Sequence, residues 1–306
     1  MMESTNFLTP ILFLIFNRPL ETEKVFLKIK EIKPKYLYIS ADGYRNNIKD
    51  EKENCQKTRE IIKHIDWDCE LKTNFYDKNL GCKDAVSSGI TWFFQNVQEG
   101  IILEDDCLPD ISFFNYCKIL LEKYRHDTRI MHISGTNFQD GILREDSSYY
   151  FSKYVHVWGW ATWKRAWDLY DVNIQYFDKF LVYKSIKNIF ADKKEQKYLL
   201  KNFNLVYTNK KITWDYQWHY TNLINNGLSI TPNKNLVSNI GFGEKATHTS
   251  QKHHPFSNRP IDKLDNITHP SFTIPNIEAD RYTYKKYFNP NKFIKLKLWL
   301  FQFIKK

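Results

Sequence analysis

The sequence predicts an α/β protein with a mostly parallel central sheet flanked by helices. Three observations predict it. Short apolar runs alternate with helix-spaced amphipathic segments over the first 105 residues. The runs are bounded by Pro, Gly, Asn and Asp, the residues that end strands and start turns. A polar cluster follows three of the runs: Asn17-Arg18, Asp42-Gly43 and Glu104-Asp105-Asp106. In a parallel sheet such clusters share one edge, where ligands of α/β proteins sit.

Residues 11–16 (ILFLIF) form the first strand, closed by Pro10 and by Asn17-Arg18-Pro19. Val25, Phe26, Ile29 and Ile32 recur at helix spacing in the next segment. Residues 36–39 make a second strand that stops at Ser40-Ala41-Asp42-Gly43. A charged helix over 51–64, a strand over 71–75 and an amphipathic helix over 84–97 follow. That last helix turns Val86, Ile90, Phe93, Phe94 and Val97 inward. Ile101 to Leu103 is a strand that runs into the three acids. Pro109 and Asp110 break it, and Phe113-Phe114 open a new apolar stretch.

The second half is aromatic and mixed. Residues 130–133 read as a strand, and Arg165-Ala166-Trp167 as helical. Residues 178–201 read as a lysine-rich helical region, and a helix opens at Thr213 to Trp218 and runs to Asn225, before Gly227. Residues 251–291, rich in Pro, Asn and His, predict an extended loop or arm, and Lys292 to Lys306 a helix of interleaved apolar residues and lysines. The organisation expected is a nucleotide-binding half over 1–106, a catalytic half of the same domain over 107–250, and a C-terminal arm and tail over 251–306.

With 306 residues, 42% of them hydrophobic, the chain can bury a large core. Its five cysteines (Cys55, Cys69, Cys82, Cys107, Cys117) include no CxxC pair, which argues against a disulfide framework and a structural zinc site. The formal net charge of +10 suits anionic partners. No Arg-rich block or zinc-finger spacing points to nucleic acid. No run reaches the roughly 20 apolar residues that span a bilayer. Glu3 and the short apolar run after it do not read as a signal peptide, so a cytoplasmic protein is expected. The basic tail over 292–306 suits the anionic inner face of a plasma membrane. Packing on the domain is its other reading.

Three consecutive acids at the end of a buried strand are costly. Carboxylates repel one another and lose hydration there unless a cation or hydrogen-bond donors compensate. A divalent-metal site and a plain acidic loop are the two readings of the triplet.

The ordered set is more specific than the triplet. It runs from a strand closing on Asn-Arg-Pro through Ser-x-Asp-Gly and Asn-Leu-Gly-Cys-Lys before a helix. An apolar strand ending in Glu-Asp-Asp and a Trp-Gly-Trp segment complete it. Over residues 8–250 this order resembles glycosyltransferases of the GT-A fold. It is similar, more narrowly, to bacterial family-2-like sugar transferases related to N-acetylglucosaminyltransferase I. The resemblance implies a Rossmann-like sheet and inverting transfer of a sugar from a nucleotide-diphosphate sugar, a UDP-sugar above all. The acceptor is a hydroxyl of a bacterial surface glycan or its lipid-linked precursor. It implies Mn²⁺ or Mg²⁺ at Asp106, bridging the diphosphate. Asp105 would face the ribose or the metal's water, and Glu104 the donor sugar or the turn itself.

The remaining candidates follow the same order. Asn17 and Arg18 would contact the nucleotide, and Asp42 the base or ribose unless it only shapes the turn before Gly43. Lys83 would approach the phosphates, and Asp84 is a site residue or a helix cap. Trp158, Gly159 and Trp160 would wall the donor and acceptor pocket, or pack in the core. Asp215, between Trp214 and Tyr216, is the candidate general base, with a helix cap as its other reading. His248, after the glycine-containing loop, would touch the diphosphate or the metal. Two other readings stand beside sugar transfer: a sugar-phosphate nucleotidyltransferase, which would normally carry a Gly-rich basic loop where Asn17-Arg18-Pro19 stands, and a non-catalytic nucleotide-sugar-binding protein.

Overall fold

In the computed structural model, residues 7–242 and 256–289 are described. The first half alternates as expected: β1 (Ile11–Ile15), α1 (Pro19–Ile32), β2 (Tyr36–Ala41), α2 (Glu51–Arg59), β3 (Glu70–Phe75), α3 (Gly81–Asn96) and β4 (Glu99–Glu104). The short β5 (Cys107–Pro109) and α4 (Ile111–Tyr124) follow, then β6 (Ile130–Ser134), β7 (Tyr149–Ser152) and β8 (Trp160–Trp163). Helices α5 (Lys164–Trp167), α6 (Phe177–Val182), α7 (Ile186–Ile189), α8 (Lys193–Tyr207) and α9 (Asp215–Ile224) come next. The order closes with β9 (Leu228–Pro232), β10 (Val237–Asn239) and α10 (Ile277–Thr283).

Eight strands form one sheet in the order β3-β2-β1-β4-β8-β6-β9-β7. β3, β2, β1 and β4 pair in parallel, β8 runs antiparallel between β4 and β6, and β9 pairs parallel with β6 and antiparallel with β7. The sheet is therefore mostly parallel, with helices on both faces. β1 shows why a continuous apolar run was needed at its centre. Ile11, Phe13 and Ile15 pack with Val25, Phe26 and Ile29 of α1. Leu12 and Leu14 pack with Ile90, Phe93 and Phe94 of α3 on the other face. Both faces are covered, so alternation gives way to an unbroken hydrophobic segment. Each such side chain contributes about 2 kcal/mol on burial.

Two expectations change. The lysine-rich region over 178–201 is three helices. Lys184 takes a left-handed φ of 54° after α6, and Asp192 caps α8 by accepting from Lys194 N at 2.7 Å and Glu195 N at 3.2 Å. The segment after 251, where described, is no free arm. Pro275 bridges Phe151 of β7, and α10 follows. The tail over 292–306 and His248 lie outside the described residues. No helix among the described residues is long and apolar enough to cross a membrane.

A buried histidine marks the second half of the sheet. Trp218 Nε1 donates to His132 Nδ1 at 3.1 Å. An indole N–H can only donate, so Nε2 of His132 carries the ring proton and donates to His156 O at 3.1 Å. Burial lowers His132 to about 3. Its neutral ring in the fold, against an ordinary one when unfolded, makes the unfolded state bind more protons between about pH 6.5 and 3, so stability is lost as pH falls through that window. His132→Gln can keep both hydrogen bonds and removes this proton. Its unfolding free energy, from denaturant titrations at several pH values, should fall with acidification less steeply than that of the unsubstituted protein, by about 1.4 kcal/mol per pH unit within the window. Equal slopes would show that His132 is not held neutral.

Candidate active site

The carboxyl ends of β1, β2 and β4 meet as the sequence suggested. The register pairs Leu14 with Glu104, so the residues after each strand lie side by side. Arg18 Nη1 donates to Asp105 Oδ1 at 2.9 Å and to Asp106 Oδ2 at 2.7 Å. Phe16 N also donates to Asp105 Oδ2 at 3.1 Å. Burial opposes charge on Arg18, but Asp105 and Asp106 outweigh it and hold the guanidinium firmly protonated. Burial and the two neighbouring acids push Glu104 up to about 8. Burial raises Asp105 to about 6 against the pull of Arg18. The Glu104 carboxylate lines the cleft and makes no hydrogen bond to a described residue.

The other side of Asp106 is built by a two-stranded ribbon, β5 with β10, pairing Cys107 with Asn239. Asn239 Nδ2 donates to Asp106 Oδ1 at 3.2 Å, and Ile240 N donates to Asp106 O at 2.8 Å. Gly241 lies against the same carboxylate, and a Cβ there would collide with Asp106 Oδ2. Glycine is what lets the backbone approach the acid this closely.

These groups floor a cleft of about 280 Å³ whose walls include Phe16, Asp42, Arg45, Asn79, Cys82 and Trp158. A second cavity of about 150 Å³ adjoins it, lined by Asp215, Tyr216, Tyr198, His219, Phe256 and Phe288. Trp158 lines both. Glu104 and Asp215 are close enough for their charges to act on each other. Thr213 Oγ1 donates to Asp215 Oδ1, which orients that carboxylate at the first turn of α9.

The donor set at the triplet suits a hard divalent cation shared with phosphate oxygens. Two carboxylate oxygens converge on one cationic nitrogen, and three acids face one arginine. Among the described residues no group of three His, Cys, Asp or Glu side chains forms a protein-only cage. Mg²⁺ and Mn²⁺ commonly take one or two carboxylates and complete their shell from phosphates and water.

Several sequence candidates change role. Asp42 accepts from Gly43 N and Leu80 N at 2.8 Å, Asn79 Nδ2 at 2.9 Å and Gly81 N at 3.0 Å. It lines the cleft, yet it holds the start of α3, and burial raises its carboxyl against those donors. Asp84 is therefore not the cap of α3. It is exposed in the first turn, and Lys83 reaches Asn209 at 3.4 Å, away from the cleft. Asn17 donates to Glu51 Oε1 at 2.8 Å and braces the wall without lining it. Trp160 is core: it is fully buried and stacks on His132 at 5.0 Å and on Trp214 at 5.7 Å. It points into the sheet's face, so only Trp158 of that pair walls the site. Gly159 contributes backbone, with φ of 63° and its carbonyl taking Gly135 N at 2.8 Å.

Sequence reasoning missed Arg45, Glu51, Asn239 and Gly241. Glu51 is 1% exposed and receives Arg45 Nε at 3.0 Å and Arg45 N at 2.6 Å. Burial favours its neutral form, and Arg45 overrides it to keep the carboxyl low. A glutamate heading a polar helix gave no local sign of burial.

No family model matches the chain, and no curated protein does. Solved structures match it weakly. HddC from Yersinia pseudotuberculosis is 10% identical with a TM-score of 0.32, over 52% of this chain and 78% of its own. The 4-diphosphocytidyl-2C-methyl-D-erythritol synthase from Anaerococcus prevotii is 10% identical with a TM-score of 0.32, over 57% and 77%. UDP-glucose pyrophosphorylase complexed with UDP-glucose is 12% identical with a TM-score of 0.26, over 47% and 62%.

Arg18→Ala should destabilise the protein by about 3 kcal/mol at pH 8, since it strands buried carboxylates without their cation. The cost should shrink at pH 5, where protonation of the acids replaces the lost charge. Urea unfolding at both pH values measures it, and an equal cost would show that the acids do not depend on Arg18.

Proposed function

We propose that the chain is an enzyme that binds a nucleotide-diphosphate sugar in the charged cleft and transfers its sugar to an acceptor hydroxyl in the adjoining aromatic cavity. The observation that carries this reading is the pairing of two adjoining cavities across Trp158, one floored by Arg18 and three acids, the other holding Asp215 among aromatic rings. Arg18 and Arg45 suit the anionic and nucleoside parts of the donor. Trp158 offers a ring face at the junction where a sugar would lie. Asp106, with Asp105 beside it, would hold a divalent cation that offsets charge on the departing diphosphate.

In the transfer, the acceptor oxygen bonds to the anomeric carbon as the bond from that carbon to the diphosphate oxygen breaks. The bonding pair leaves with the nucleotide diphosphate, and the acceptor proton passes to Asp215. Attack opposite the leaving group inverts the anomeric centre. A lipid-linked or surface glycan fits as acceptor because the second cavity is lined mainly by rings. In this reading residues 1–106 supply most of the donor cleft, which Trp158 and Asn239 complete, and 107–250 most of the acceptor cavity, which Phe256 and Phe288 complete.

Sugar-phosphate nucleotidyl transfer is the second reading. The same acids and the two cleft arginines would hold a nucleoside triphosphate equally well. UDP-glucose pyrophosphorylase belongs to this class by its name, at a likeness that transfers no activity. The two separate by product: UDP from a UDP-sugar and acceptor, or pyrophosphate from UTP and a sugar 1-phosphate. Release of pyrophosphate alone would replace the first reading with the second.

Asp106→Asn should abolish the Mn²⁺-dependent part of the thermal shift given by UDP, and an unchanged shift would remove Asp106 as the metal ligand. A ligand at about 100 times its dissociation constant adds roughly 2.7 kcal/mol, a readable shift. Asp215→Asn should keep that shift and lower turnover by about 10²-fold or more. Full turnover would move the base elsewhere.

A further inference from the structure

The helical layer that carries α9 leaves one stretch of its surface without a partner among the described residues. α6 turns Phe177 and Phe180 inward against Tyr220 of α9, at ring separations of 5.9 and 5.3 Å. The residues beyond them turn outward. Val182 and Tyr183 are each 74% exposed, Tyr176 58% and Leu181 38%. The chain projects this tip in a fixed shape. Ser185 N donates to Phe180 O at 3.1 Å and Lys184 N to Leu181 O at 3.0 Å, the paired bonds of a Schellman stop. Lys184 takes the left-handed φ of 54° there, a position that favours glycine, so a lysine is kept at some conformational cost.

Charge surrounds the apolar tip. Lys179, Lys184 and Lys187 are exposed and make no salt bridge to a described residue. Asp178, the one acid between 176 and 187, is engaged by Tyr207 Oη at 2.7 Å. On α8, Lys193, Lys194, Lys197 and Lys201 are also exposed.

We propose that residues 176–187 form a docking surface for an anionic lipid bilayer. Leu181 and Val182 suit the boundary between headgroups and acyl chains, and a tyrosine fits the headgroup level. Lysines around them are attracted to the negative surface potential and act within a Debye length. A protein partner fits less well, because lysine is depleted at protein interfaces where arginine is enriched. The surface lies on the layer whose α9 begins with Asp215, so docking would bring the aromatic cavity near the bilayer. The docking itself does not depend on which reaction the site performs.

The full chain is mixed with vesicles of phosphatidylcholine alone, or of phosphatidylcholine and phosphatidylglycerol in equal parts, and sedimented. Binding to the mixed vesicles only, weakened by salt, is expected. Val182→Asp with Tyr183→Asp should lower that affinity by about tenfold or more, and neutralising the three lysines to Gln should also weaken it. The lysine set leaves the apolar packing of α6 untouched and serves if the double aspartate variant misfolds. Equal affinity of the variants overturns the proposal and places any binding in another segment, such as 292–306. Absence of vesicle binding by the unsubstituted chain overturns it too. So does a dimer, seen by light scattering, that the aspartate pair splits, since the surface would then belong to a second copy.

Discussion

Arg18 is the constraint on which the rest of this edge depends. Its backbone is fixed where β1 ends and α1 begins: its carbonyl accepts Thr22 N at 2.9 Å and Thr22 Oγ1 at 2.7 Å. Pro19 follows, with its ring suited to the first helical position and its missing N–H no loss there. The side chain can then be spent across the strand boundary, bridging Asp105 and Asp106 from the neighbouring strand's end. Removing water from three adjacent acids is tolerable only with such a partner. One arginine answers two carboxylates, and Glu104 is left to the cleft. The site is therefore short of positive charge by construction, which is the electrostatic state a cation and an anionic ligand can complete together.

The ribbon of β5 and β10 makes the complementary constraint. Asp106 is gripped on one side by Arg18 and on the other by Asn239, so its carboxylate has little freedom. Gly241 lets the backbone pack directly against the same carboxylate. A residue held by charge on one side and by an amide on the other needs no reorganisation when a ligand arrives, the property wanted of a group that must stabilise charge during a reaction. The same logic explains Asp42. Four donors use its lone pairs, so it fixes where α3 starts and thereby where Cys82 and Asn79 stand in the cleft wall.

The parallel half was legible because β1, β2 and β4 are short apolar runs with polar stops, and parallel pairing places those stops on one edge. The meeting of Arg18 with Glu104-Asp105-Asp106 followed from that geometry alone. The contacts that complete the site did not. Asn239 lies 133 residues from Asp106, and nothing local to Val237-Ser238-Asn239 announces that it will pair with Cys107. Trp158 and Trp160 look equivalent in sequence, but Gly159 turns the chain and β8 begins at Trp160, so one ring faces the cleft and the other the core. The region over 178–201 has a helical pattern that hides two breaks. One rests on a lysine in a left-handed turn and the other on Asp192, a residue that caps as readily as it sits exposed.

The aromatic cavity depends on a segment the sequence left as an arm. Phe256 and Phe288 line that cavity, and both belong to the stretch after residue 255. What holds them is Asp140, which accepts from Tyr282 Oη at 2.7 Å and Tyr287 Oη and pairs with Arg259 at 3.0 Å and Lys286 at 2.7 Å. Burial works against its charge, and Lys286 with the two tyrosines and Arg259 more than reverse that, lowering it to about 2. A carboxyl whose folded state favours the anion loses its contribution only as pH falls toward that value, so the clamp persists through neutral and mildly acidic conditions. The cavity wall is thus closed by long-range charge rather than by local helix or strand preference. Gln139, next to Asp140, reaches the same segment through Ala279 O at 3.1 Å and Thr283 Oγ1 at 2.8 Å. Two consecutive residues after β6 therefore bind α10 and the turn that follows it over the site, and the acceptor side of the cleft owes its shape to them as the charged side owes its shape to Arg18.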